Sequence, residues 1–96
     1  MATVLHGEFE WDDVKAESNV QKHGITFEEA TEVFKDPLAL VQEDALHPER
    51  ALLLGESQRA RVLLVVYIEK DGGDVLRIVS ARKATPHERR TYEEFR

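Results

Sequence analysis

The apolar residues of this chain change their period at Pro37, and that switch restricts the fold more than any other feature. Before it, T-F-E-E-A-T-E-V-F-K-D-P places Phe27, Ala30, Val33 and Phe34 at helical spacing, and the proline stops the helix. After it come four runs of strand character, at 38–43, 51–55, 62–68 and 75–81. They are separated by D-A-L-H-P-E-R, E-S-Q-R-A and K-D-G-G-D, all rich in turn residues. A helical half followed by a strand half predicts an α+β domain rather than alternating βαβ units. The run at 62–68 is apolar on both faces and is expected as a central strand.

The helix ends are marked. In W-D-D-V-K-A-E-S-N-V-Q-K-H-G, Asp12 is placed to cap the first turn and Trp11 to staple onto Ala16. Lys22 and His23 suit the negative end of the dipole, and Gly24 the left-handed residue that ends the helix. Thr26 with Glu29, and Thr85 with Glu88, each fit a capping box; Pro86 suits the first position of a last helix running to about Phe95. Residues 4–9 are a weak strand or an extended lead-in. The expectation is two N-terminal helices, an antiparallel β-sheet and a C-terminal helix, in one domain spanning residues 1–96.

Gly72-Gly73 is the strongest hairpin signal, since both residues tolerate positive φ. A two-residue turn there sets Asp71 opposite Asp74 and, counting back, Leu63 opposite Arg82. Arg61 then becomes the diagonal neighbour of Arg82, roughly 7–8 Å away, near enough for two guanidinium groups to grip one phosphate. Lys83 and Arg77 are expected on the opposite face. Any shift of register by one separates the two arginines.

Charge is split along the chain. Residues 1–58 carry four bases against thirteen acids, and residues 59–96 nine bases against six. Between Arg77 and Arg90 the bases are Arg77, Arg82, Lys83, Arg89 and Arg90 against the single acid Glu88. A basic corner on a chain of net charge −6 suggests a confined anion site next to a helix N-terminus, not a broad nucleic-acid-coating face. For a lone arginine, a stem lying on the sheet with its charge in water explains the residue equally well. Glu88 is likewise explained by its capping box, although a carboxylate there could also act as a base.

No cysteine is present, so there is neither a disulfide framework nor a thiolate metal site. His6, His23, His47 and His87 lack zinc-ligand spacing, and no metal is expected. No N-terminal basic segment precedes an apolar stretch, and the longest apolar run is too short to cross a bilayer, so the cytoplasm is the expected compartment. A Ser-His-Asp set, a phosphate-cradling glycine loop and a dinucleotide fingerprint are all missing from the sequence.

The segment from F-E-W-D-D to F-K-D-P resembles the N-terminal signature of the BrnT toxin family: F-x-W-D, then K, N, K-H-G, F-x-E-A, V-F and D-P. The later V-V-Y-I-E and R-I-V-S-A-R-K-A-T-P-H-E-R-R resemble its C-terminal signature, with Ile68 where threonine is more usual. The likeness covers roughly residues 8–94. It implies a type II toxin–antitoxin system whose toxin is a small ribonuclease of RelE-like fold. It further implies neutralisation by a BrnA antitoxin bearing a ribbon-helix-helix dimer, through which the complex reaches operator DNA. Related toxins cleave RNA without a metal or other cofactor. The 2′-hydroxyl attacks the adjacent phosphate, basic side chains stabilise the phosphorane, and a proton donor assists the leaving oxygen.

Carried onto this chain, the resemblance makes Arg82, the arginine of S-A-R-x-A, the leading catalytic residue. Arg61, before the V-L-L-V-V-Y strand, joins it on the phosphate, and His23 of K-H-G is the proton shuttle. Lys83, Arg77 and Arg89 are expected to bind RNA. The competing expectation is a non-catalytic module whose acidic N-terminal half docks a basic antitoxin, acting as a co-repressor or disabled toxin. A self-sufficient DNA binder is poorly supported, because the would-be recognition helix from Phe27 to Lys35 is acidic.

Overall fold

A computed structural model describes residues 1–95. The elements are β1 (Thr3–His6), β2 (Phe9–Asp12), α1 (Asp13–His23), α2 (Phe27–Val33), β3 (Leu40–Glu43), β4 (Ala51–Glu56), β5 (Val62–Lys70), β6 (Val75–Lys83) and α3 (Pro86–Glu94). They form one six-stranded sheet in the order β1-β2-β6-β5-β4-β3, which puts β5 in the interior as expected. Even-numbered residues of β5 face α3, and odd-numbered ones face α1 and α2. Leu63, Val65 and Tyr67 thus share a core with Trp11, Phe27, Val33 and Ile78, whereas Val62 and Leu64 pack with Tyr92 and Leu54.

Two sequence expectations are corrected. The weak strand at 4–9 is a hairpin, β1–β2, turning at Gly7 with φ 60°. The sheet is also mixed, since β2 runs parallel to β6, with Phe9 beside Leu76 and Glu10 beside Arg77. That pairing joins opposite ends of the chain and leaves no local signature. Trp11 is buried at 2% exposure and meets Phe27 edge-on at 5.8 Å, which ties β2 to α2.

The caps follow the chemistry read from the sequence, with one exception. Asp12 accepts from the Val14 N–H, Gly24 ends α1 at φ 70°, and the Thr85–Glu88 box is complete in both directions. At α2 only half the box forms. Thr26 accepts from the Glu29 N–H, but the Glu29 carboxylate turns away from the helix end to meet Arg61 and Ser57.

The hairpin register is right near the turn and wrong beyond it. Gly72 and Gly73 both take positive φ, and the pairs from Lys70–Val75 to Tyr67–Ile78 follow the expected count. A β-bulge then intervenes. Val66 pairs with Ser80, so Val79 is the extra residue, and Leu64 rather than Leu63 faces Arg82. Arg82 is therefore on the α3 side of the sheet, and Arg61, in phase with Leu63, is on the α2 side. The expected Arg61–Arg82 diagonal pair does not form, and Arg77 shares the face of Arg82 instead of opposing it; Lys83 does oppose it.

Candidate functional site

The start of β5, the end of β6 and the start of α3 bring charged side chains together at one end of the sheet. Arg61 is half-buried just before β5. Its Nε donates to Glu29 Oε2 at 3.0 Å, and its Nη2 donates to Glu29 Oε1. Glu29 is 5% exposed and also accepts from the Ser57 hydroxyl at 2.8 Å. The Arg61 guanidinium, then Ser57, hold its carboxyl below the usual glutamate range. Arg61 is raised by the same pair. A bidentate pair leaves the outer guanidinium N–H groups available, and the Arg61 side chain keeps 29% of its surface.

Arg82 is held in the same manner on the other face. Its Nη1 and Nη2 donate to Glu88 Oε1 at 2.8 Å and Oε2 at 3.0 Å, and Nη1 also donates to the Lys83 carbonyl at 3.2 Å. Glu88 accepts in addition from the Thr85 N–H, so one carboxylate caps α3 and clamps Arg82. Arg82, then the Thr85 backbone, keep the Glu88 carboxyl below its ordinary value. Strand end and helix start are thereby locked together.

Between these pairs opens a cleft of about 350 Å³ lined by Glu56, Ala60, Arg61, Val62, Lys83, Arg89 and Glu93. Three of the six residues singled out from the sequence, Arg61, Lys83 and Arg89, converge here. Arg82 and Glu88 do not line it, although their chain neighbours Lys83 and Arg89 do. Arg77 lies at the opposite end of β6, where its Nη1 donates to Glu10 Oε2 at 2.6 Å beside Lys70 Nζ at 3.0 Å. These two cations, Arg77 first, lower the Glu10 carboxyl. His23 lines a separate groove with Lys15, Ser18, Asn19, Lys22, Val79 and Ser80. Among the described residues no cluster of three or more metal-ligating side chains occurs.

Glu29 and Asn19 fall on the N-terminal signature, as the E of F-x-E-A and the N before K-H-G, but their structural roles escaped the sequence reading. Glu29 fitted a capping box so well that its position gave no further signal. Asn19 reads as an ordinary polar residue of α1. Its Nδ2 donates to the carbonyls of Ile25 and Ala81 at 2.9 and 2.8 Å, and its Oδ1 accepts from the Ala81 N–H at 3.1 Å. The two bonds to Ala81 pin α1 to β6 beside Arg82, and the third fixes the connection that follows α1.

The fold and cleft define a small α+β protein with a charged cleft at a sheet end, lined by Arg61, Lys83 and Arg89 together with Glu56 and Glu93. A family model described as the ribonuclease toxin BrnT of type II toxin–antitoxin systems matches residues 11–88. The 1.1 Å crystal structure of the Brucella abortus ribonuclease toxin BrnT is similar, with a TM-score of 0.63 at 25% identity, covering 78% of this chain and 92% of that one. No curated protein matches the chain. This chain belongs to the BrnT family of ribonuclease toxins of type II toxin–antitoxin systems.

Proposed function

We propose that the chain is a metal-independent endoribonuclease that inhibits translation and is neutralised by a BrnA-type ribbon-helix-helix antitoxin. Operator DNA would be reached only through that antitoxin, and the compartment would be the cytoplasm. The observation that carries this reading is the convergence of Arg61, Lys83 and Arg89 on one cleft. Three cationic groups, of which Arg61 is held in place by Glu29, supply the stabilisation that a phosphorane needs when the 2′-hydroxyl attacks the neighbouring phosphorus. The attacking oxygen loses its proton, the P–O5′ bond breaks, and the leaving 5′-oxygen takes up a proton. Arg61 and Lys83 hold the phosphate, and Arg89 on α3 closes the third side. Arg82 joins them by exchanging the Glu88 carboxylate for a phosphate oxygen, a swap between two anions of like geometry. Arg77 contacts RNA farther along β6. His23, which lines a groove separate from the Arg61 cleft, contacts the strand there rather than shuttling the proton at the phosphate held by Arg61 and Lys83.

The test is RNA cleavage in EDTA by the parent protein, Lys83→Ala and Arg82→Ala. Cutting by the parent and a loss of about 10²–10³-fold in rate for either folded variant is expected, the usual loss when one charge-stabilising donor is removed. Parental rates for both variants would sink the assignment, and cleavage that needs added metal would sink its metal-independence. Arg61→Ala is a poor probe because it leaves Glu29 buried and unpaired, at a cost of about 3–5 kcal/mol.

One observation favours the alternative of a non-catalytic, antitoxin-binding co-repressor: Arg61 and Arg82 are both already satisfied by glutamates. Induction of the chain without antitoxin separates the two readings, since a co-repressor leaves growth untouched and a ribonuclease toxin stops it.

A further inference from the structure

Lys15, Ser18, Lys22 and His23 recur at helical spacing along α1 and, with Val79 and Ser80 of β6, enclose a groove of about 230 Å³ that does not overlap the Arg61 cleft. No carboxylate lines it. Among the described residues, neither lysine nor His23 takes part in an ion pair. The Arg61 cleft, by contrast, has Glu56 and Glu93 in its wall and its arginine paired with Glu29, so this groove is the more purely cationic of the two on a chain of net charge −6. Its floor is rigid, because Asn19 spends both amide protons and its oxygen on backbone groups of Ile25 and Ala81.

We propose that this groove is a second phosphodiester-binding subsite that holds the RNA strand beside the cleavage cleft, an inference resting on the ribonucleolytic reading above. Lys15 and Lys22 are seven positions apart, about 10 Å along the helix axis. That spacing is too wide for one phosphate and suits two phosphates of a single strand. Ser80 lies three residues from Lys83 on β6, again about 10 Å in extended chain. One sugar–phosphate backbone can therefore occupy the groove while a neighbouring phosphate sits between Arg61 and Lys83. The Ser18 and Ser80 hydroxyls add hydrogen-bond donors that carry no sequence preference, as expected for a backbone-positioning subsite.

The test is binding of a 2′-O-methyl RNA oligonucleotide, which cannot be cut because its nucleophile is blocked. Fluorescence anisotropy over a salt series would compare the parent with a Lys15→Gln/Lys22→Gln variant, both lysines being exposed and outside the core. The double variant is expected to lose affinity about tenfold, and its log–log salt slope to flatten by about 1.4, or 0.7 for each lost phosphate contact. Parental affinity and slope would overturn the proposal, whatever the cleavage assay shows. Groove-dependent binding by a protein that never cuts RNA would instead remove the ribonuclease reading and leave the subsite standing.

Discussion

Asn19 closes the free edge of β6 with a side chain. β2 pairs with β6 only at Leu76 and Arg77, so the next stretch of that edge has no strand beside it. The Asn19 amide takes the place of one, donating to and accepting from Ala81 as a neighbouring strand would. Asn19→Ala would bury an unmatched N–H and two carbonyls, each costing about 1–3 kcal/mol where water cannot reach. A loss of about 3 kcal/mol or more is expected in urea unfolding, and an unchanged midpoint would show that the edge finds other partners. Nothing local marks Asn19 for this role. An asparagine inside a helix is an ordinary surface residue until the fold sets Ala81 beside it. Gly55 is similar: an added Cβ would lie 2.9 Å from both Val33 Cγ1 and Ala39 Cβ, a contact that only the packing of β4 beneath α2 creates.

Elements bounded by local chemistry were legible, and those set by a partner were not. The C-cap at Gly24 and the box at Thr85–Glu88 depend on groups within a few residues and formed as expected. The turn at Gly72-Gly73 kept the expected register nearby. The strands end at Lys70 and Val75, however, and Asp71 also takes positive φ, so Asp71 and Asp74 belong to the connection rather than to the ladder. The box at Thr26 half-failed because the half-buried Arg61 competes better for Glu29 than a solvent-exposed helix N-terminus does. The bulge at Val79 carries no glycine or proline to announce it, yet it decides which basic residues share a face. The β4–β5 turn holds a different local strain, with Ala60 at φ 60°. The left-handed region costs an L-residue about 1–2 kcal/mol, while glycine adds about 0.4–1 kcal/mol of unfolded-chain entropy. Ala60→Gly should therefore stabilise the protein by about 0.5–1 kcal/mol, raising Tm by a few degrees; a lowered Tm would mean that the Ala60 methyl, at the cleft wall, contributes more packing than strain.

Across the whole molecule, three glutamates clamp distant parts of the chain: Glu10 joins β2 to β6, Glu29 joins α2 to the start of β5, and Glu88 joins α3 to the end of β6. Their cationic partners lower all three carboxyls in the folded state. A depressed folded pKa contributes stability that is complete above the unfolded value and disappears as pH falls through the folded one. The urea midpoint should thus be level above about pH 5.5 and drop steadily below about pH 5, with Glu29→Gln making the decline shallower. A midpoint that holds to acid pH in the parent would show that the pairs contribute nothing net.

The division of charge between the halves of the chain, the positions of the helix caps, the interior place of β5 and the membership of an RNA-cutting toxin family were determined by sequence alone. Each rests on residues that act on near neighbours or on an ordered set of motifs. Only the tertiary structure decided that β2 lies parallel to β6 and that a bulge carries Arg82 to the far side of the sheet from Arg61. It likewise decided that Lys83 and Arg89 join Arg61 instead. Side chains on a strand alternate, so one unpaired residue inverts every later position, and that residue is chosen by how two sheet faces pack against helices distant in the chain.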